Sequence, residues 1–284
     1  MDKLLTIGMA TYDDYDGVYF TVQSLRMYHD LPKDSCEFIV IDTNPESEQG
    51  KATKSFISSQ IPEGKYIPQN KQIPSSFNKY DIVKHADGKY ILIVDCHVLL
   101  QPNAIKRLLK YYEDNPNCKN LVQGPLLYDQ LNDYSTHFDP KWSGHMYGVW
   151  SKNKEAYEKG EPFEIPMQGM GLCSFEKNNW PGIYEYFHGF GGEEGYIAEK
   201  FRLNGGKNIC IPQLGWCHRF GRPSGVPYRL ILEDRILNYF LGWLEMYRDL
   251  DHKMVKETYE WFKDKIPPKS IDNLLNIARN ALEI

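Results

Sequence analysis

Three short apolar runs constrain the fold of this chain more than anything else in it. Residues 4–10, 37–41 and 90–94 each read as a buried strand, and each stops at a polar residue. Between and after them lie segments of helical spacing. Residues 17–29 place Val18, Val22, Leu25 and Met27 near one side, and 51–60, 78–86 and 103–113 read as further helices. Pro102 stands at the first helical position of the last of these, where its missing N–H costs nothing. Strands alternating with helices predict a mostly parallel sheet flanked by helices, an α/β fold.

The second half is patterned differently. Residues 128–162 are rich in Pro, Gly, Tyr and Trp with poor periodicity, which predicts long loops with short strands of the kind that shape a pocket. Beyond them, 196–203 reads as a helix ended by Gly205 and Gly206, 209–211 as a short strand, and 230–247 as an amphipathic aromatic helix. Two more helices are expected at 251–262 and 270–281.

A chain of 284 residues with 42% hydrophobic and 25% charged positions can bury the core of one large domain with an appendage. The formal net charge of −5 argues against a general nucleic-acid binder. It leaves room for a small anion held by local cations. The six cysteines form no C-x-x-C pair, so they are expected to be free thiols rather than structural zinc ligands. No signal peptide and no apolar stretch of membrane length is apparent, and the expected setting is cytoplasmic with no integral membrane segment.

Chemistry concentrates at the strand ends. Thr11 follows the first strand and Asp42 the second, while Asp95-Cys96-His97 follows the third. Residues i and i+2 of an extended segment point to one side, so Asp95 and His97 can reach one cation. Open α/β sheets bind ligands beyond the carboxyl ends of their strands. No Gly-x-Gly-x-x-Gly or Gly-x-x-x-x-Gly-Lys-Ser/Thr is present, so phosphates need another holder, and a divalent metal is the simplest. A carboxylate with an imidazole suits Mn2+ better than an all-oxygen Mg2+ or Ca2+ site, with Mg2+ kept as a possibility. Taken alone, Asp95-x-His97 is equally compatible with a capped strand end and a structural histidine.

Two further segments carry candidates. In His188-Gly189-Phe190-Gly191-Gly192-Glu193-Glu194-Gly195, glycines allow a tight turn and close substrate approach ahead of two carboxylates at a helix start. One carboxylate there can accept a hydroxyl proton. The bland reading is a Gly-rich turn with acids in the first helical turn. In the segment from His218 to Tyr228, His218 is a possible third metal ligand, Arg219 and Arg222 are phosphate partners, and Gly and Pro residues suit a lid. A solvated basic loop is the alternative. His29, His85, His137, His145 and His252 have no supporting context.

Four ordered blocks resemble the GT-A nucleotide-sugar glycosyltransferases, and most of all the catalytic domain of polypeptide N-acetylgalactosaminyltransferases. They are Ile93-Val94-Asp95-Cys96-His97, Met167-Gln168-Gly169-Met170-Gly171-Leu172-Cys173-Ser174, the stretch from Phe190 to Arg202, and His218-x-Phe220 followed by Arg222 and Tyr228. The resemblance covers roughly residues 4 to 248 and implies a catalytic domain over 1–248 with a helical extension over 249–284. It implies that Asp95, His97 and His218 bind Mn2+. Thr11, Tyr12, Asp42 and Asn78 would line the nucleotide site, Arg222 and Tyr228 would contact the diphosphate, and Glu193, Glu194 and Arg222 would carry catalysis. The implied reaction moves a hexose or N-acetylhexosamine from a UDP-sugar to a hydroxyl of a glycan, protein or small-molecule acceptor.

The chain departs from that family at Phe190, where the family has Trp, and at Gly221, an extra residue before Arg222. It also departs at Glu194, where the family has Asn; inverting β-1,4-galactosyltransferases have an acid there that serves as base. Asp-x-His thus favours retention and Glu194 inversion. A glycan- or sugar-nucleotide-binding module without turnover is the expectation from another functional class.

Overall fold

A computed structural model describes residues 3–69, 76–221, 225, 226 and 229–284. The chain opens with β1 (Lys3–Thr11), α1 (Tyr15–Tyr28), β2 (Cys36–Asp42), α2 (Glu48–Gln60) and β3 (Gly64–Pro68). A 3-10 turn (Ser76–Asp81) runs into α3 (Ile82–His85), followed by β4 (Gly88–Val94), β5 (Val98–Leu100) and α4 (Ala104–Asp114). The middle contains β6 (Leu121–Gln123), β7 (Leu126–Leu127), β8 (Tyr134–Ser135), β9 (His137–Ser143), β10 (Met146–Ser151), α5 (Lys154–Lys159), β11 (Phe163–Glu164) and β12 (Leu172–Glu176). The chain closes with α6 (Glu193–Leu203), β13 (Asn208–Cys210), β14 (Trp216–His218), α7 (Leu232–Tyr247), α8 (Lys253–Phe262) and α9 (Pro268–Ala281).

The main sheet has the order β11-β13-β6-β12-β4-β1-β2-β3. β1, β2, β3 and β4 run parallel, as the alternation of strands and helices predicts. β12 enters antiparallel between β4 and β6, which makes the sheet mixed. Strand periodicity divides the core into two layers. Phe38, Val40, Tyr90, Leu92 and Val94 face the layer under α1, α2 and α4, while Ile39, Ile41, Ile91 and Ile93 face the layer under α6 to α9. Both faces are covered, so these strands read as continuous apolar runs.

The tail is part of the second layer. Val255, Phe262, Ile271, Leu274 and Ala278 are buried in the same cluster as Ile91 and Ile93. Trp261 donates its Nε1–H to Gly144 O at 3.0 Å and stacks with Trp142, which ties α8 to the β9–β10 hairpin. Among the described residues, no helix is long and apolar enough to cross a membrane. Among the described residues no cysteine is in a disulfide.

Three local expectations change. Residues 78–86 do not form one helix: the tight turn at Ser76–Asp81 draws Lys79 and Tyr80 inward, and Tyr80 stacks on Trp180 at 5.3 Å. Pro102 lies ahead of the helix start, because Asn103 takes a left-handed conformation as N-cap of α4. Residues 137–151, expected in loops and short strands, form a hairpin that turns at Gly144 with φ 54° and shifts register between Tyr147 and Val149. Pro140 obscures this in the sequence, and the structure tolerates it because it lies at the register shift between the pairs Val149↔Asp139 and Tyr147↔Trp142.

Candidate active site

The cleft forms where the strands end. Asp95 leaves β4 with its N–H bonded to Gly171 O at 2.9 Å, and His97 precedes β5 directly. β14 pairs antiparallel with β5 in the register His218↔Val98, which returns His218 to the side of His97 across more than a hundred residues of chain. Asp95 Oδ2 lies 3.3 Å from His218 Nε2, and His218 Nε2 lies 3.1 Å from His97 Nε2. One ligand atom from each of Asp95, His97 and His218 falls within 4.8 Å of the other two. Neighbouring ligands of an octahedral divalent ion with bonds near 2.1 Å sit about 3 Å apart, so this donor set fits such an ion.

Three groups organise these ligands, and sequence reasoning passed over two of them, Asp14 and Lys79. The first is Asp14, in the polar turn between β1 and α1. Its Oδ2 lies 2.8 Å from His97 Nδ1, Arg219 Nη2 donates to both carboxylate oxygens at 2.7 and 2.8 Å, and Oδ1 accepts the Gly17 N–H that begins α1. A carboxylate only accepts, so the His97 proton sits on Nδ1 and the Nε2 lone pair faces the ligand cluster. Burial alone would raise the Asp14 carboxyl, but the His97 and Arg219 hydrogen bonds hold it well below the usual carboxylate range.

Lys79 is the second such group. It is 8% exposed and donates to Met170 O at 2.8 Å, with Asp95 Oδ1 at 3.5 Å. Burial would lower its ammonium, yet the charges of Asp95 and Glu193 keep it above the ordinary lysine value. Burial would raise Asp95 in turn, and Lys79 with His218 brings it well below. The third is Arg219, which sequence reasoning assigned to phosphate and which the structure pairs with Asp14.

A cleft of about 440 Å³ opens above the cluster. Thr11, Tyr12, Glu193 and Glu194 line it with Asp95, His97 and His218. Thr11 Oγ1 is buried without a hydrogen-bond partner among the described residues. Gly192, at φ 99°, caps α6 in a conformation that favours glycine, and this turn carries Glu193 and Glu194 to the cleft wall. Glu193 is 4% exposed, and burial together with the charge of Glu194 pushes its carboxyl up to about 8. Gly171 must be small: a Cβ there would meet the Trp216 ring at 2.7 Å and Asp95 Oδ2 at 3.1 Å.

Two expected nucleotide contacts lie elsewhere. Asp42 is 1% exposed, its carboxylate accepts the Asn44 N–H at 2.9 Å and the Tyr66 hydroxyl at 2.7 Å, and it is not part of the cleft wall. Asn78 is buried on the 3-10 turn, also outside the wall. Arg222 and Tyr228 lie outside the described residues.

Residues 6–174 match glycosyl transferase family 2. An uncharacterised glycosyltransferase of Methanocaldococcus jannaschii is 22% identical over 142 residues, which is 50% of this chain and 48% of the relative. Among solved structures, GalNAc-T7 with UDP, GalNAc and Mn2+ superposes with a TM-score of 0.70 at 15% identity, covering 99% of this chain and 54% of the other. The Pyrobaculum calidifontis mannosyltransferase PcManGT, in complex with GDP-Man and Mn2+, gives 0.58 at 14% identity over 99% of this chain and 75% of the other. Staphylococcus aureus TarS with UDP-GlcNAc gives 0.62 at 13% identity, covering 98% and 81%. The chain therefore spans about half the length of the curated relative and of GalNAc-T7. The shared architecture is the GT-A glycosyltransferase fold.

Proposed function

The chain belongs to glycosyl transferase family 2, and from that premise we propose that it moves a hexose or N-acetylhexosamine from a UDP-sugar to an acceptor hydroxyl with Mn2+ bound. The observation that carries this reading is the convergence of Asp95, His97 and His218 on the floor of a cleft beyond the strand ends. These three residues would hold the ion, which when bound supplies positive charge against the leaving diphosphate. Uridine is the base implied by the sequence resemblance and by the UDP in GalNAc-T7. The GDP-Man of PcManGT makes guanosine the competing base. We read 249–284 as a support for the catalytic unit, since α8 grips the hairpin that supplies Met146 and Trp150 to the cleft.

The chain's own groups divide the remaining work. Thr11 and Tyr12 sit on the cleft side of β1, where a base or ribose would lie. Lys79 steadies Asp95. In a retaining reaction the acceptor attacks on the leaving-group face and its proton goes to a phosphate oxygen of the donor. Asp-x-His favours that course. An inverting reaction has one observation in its favour: Glu194 is partly exposed on the cleft wall at the start of α6 and can accept the acceptor proton.

The test is nucleoside diphosphate release from a panel of UDP-sugars and GDP-mannose, in Mn2+ and in EDTA. Release from one donor that EDTA abolishes is expected, and the anomer read before mutarotation separates retention from inversion. No release from any donor, or equal release in EDTA, would overturn the proposal.

A further inference from the structure

We propose that Asp14 is a positioning residue for His97: its carboxylate accepts a hydrogen bond from Nδ1–H and Arg219 fixes the carboxylate, so that Nε2 presents a lone pair to a cation. This rests on the metal-site reading above.

The two histidines are not prepared alike. His97 Nδ1 has Asp14 Oδ2 at 2.8 Å, with Cys96 Sγ at 3.5 Å. His218 Nε2 lies near Asp95 Oδ2 and His97 Nε2, both of which accept, so its proton sits on Nε2. Its Nδ1 is buried and has no hydrogen-bond partner among the described residues. His218 must therefore carry its proton on Nδ1 instead before Nε2 can ligate, whereas His97 already holds its proton on Nδ1 and a lone pair on Nε2. That difference comes from Asp14. A histidine ligand is commonly oriented by a carboxylate on its other nitrogen.

Asp14 joins distant parts of the chain. Its backbone sits between β1 and α1, and its side chain reaches the loop after β4 through His97 and the segment after β14 through Arg219. The carboxylate is 6% exposed, so little water competes for it. The rival account makes Asp14 a helix cap alone, since Oδ1 accepts from the Gly17 N–H.

Asp14→Ser separates the two accounts, because serine caps helices well but cannot reach His97 as a carboxylate does. Imidazole 1H–15N spectra of the metal-free full chain report the tautomer directly. Wild type is expected to show His97 as the Nδ1–H form, and Asp14→Ser to show a mixture. Mn2+ binding, followed by the electron spin resonance of free Mn2+, is expected to weaken about 10- to 100-fold. Asp14→Asn, which keeps the volume and a neutral acceptor, should lie between them and serves if the serine variant folds poorly. Unchanged Mn2+ affinity in a folded Asp14→Ser or Asp14→Asn overturns the proposal. If Asp95→Ala also binds Mn2+ as wild type does, the metal-site reading itself fails. If only the Asp14 variants do, the site stands and Asp14 is a cap.

Discussion

Glu193→Gln is expected to stabilise the folded chain, and to do so more at pH 7 than at pH 5. Glu193 is 4% exposed, and its Oε2 has no hydrogen-bond partner among the described residues. Burial, then the charge of Glu194, lifts the carboxyl from 4.5 to about 8 against the pull of Lys79. A carboxyl raised on folding costs nothing below pH 4.5, where both states hold the proton. Above that the unfolded chain releases the proton and the folded chain keeps it, so stability falls as pH rises towards 8. Each pH unit in that window is worth about 1.4 kcal/mol, which gives a cost of about 3 kcal/mol at pH 7 and under about 1 kcal/mol at pH 5. Glutamine keeps the shape and removes the titration. Urea unfolding of both proteins at the two pH values, in EDTA, should therefore show the benefit of the substitution growing by about 2 kcal/mol. An equal effect at pH 5 and pH 7 would refute the argument, because a change in packing or hydrogen bonding alone carries no such slope.

Asp95→Ala and His218→Ala are each expected to lower metal-dependent nucleoside diphosphate release by at least about 100-fold, the scale of losing one preorganised electrostatic contact; wild-type turnover in one of them would remove that residue from the site. Gly171→Ala should cost about 1–3 kcal/mol of stability and weaken Mn2+ binding, since its methyl must displace the Trp216 ring or Asp95. Calorimetric Mn2+ titration and urea midpoints would read both effects. Trp261→Phe removes the Nε1–H bond to Gly144 and should cost about 1 kcal/mol. Unfolding midpoints equal to wild type would show that α8 does not grip the hairpin.

Much of this arrangement was legible where one element repeats one simple pattern. β1, β2 and β4 are apolar on both faces and end at polar residues, so their runs were plain and their order implied a parallel sheet. Asp95 and His97 were legible as a pair because i and i+2 share a side. The approach of His218 follows from pairing between β5 and β14, each three residues long, too short to carry any periodicity. The sequence offered His218 as a possible third ligand, but nothing in its own segment placed it beside Asp95 and His97. Asp42 had the look of a ribose contact, but Tyr66 and Asn44 claim its carboxylate, and those partners come from β3 and from the turn after β2. Asp14 and Lys79 were hidden for a related reason. A carboxylate in a strand-end turn and a lysine in a helical pattern look like surface charges until the fold shows what they face.

The charges of the cleft argue for a cation independently of any resemblance. Lys79 is matched by Asp95, and Arg219 by Asp14. Of the two acids at the start of α6, Glu193 is held protonated near neutral pH by its burial and the charge of Glu194, which leaves Glu194 to offset Arg229 among the described groups that line the cleft. A wall so balanced has no described surplus of positive charge for a diphosphate, and like charges unscreened by water cost several kcal/mol at close range. A divalent ion on Asp95, His97 and His218 would supply that surplus, so UDP and Mn2+ should assist each other's binding. Calorimetry of UDP with and without Mn2+ should show at least about a tenfold difference in affinity, 1.4 kcal/mol of coupling, with the same factor found when Mn2+ is titrated with and without UDP. If UDP binds equally well in EDTA, the positive charge must come from the protein itself, and a divalent ion is not its source.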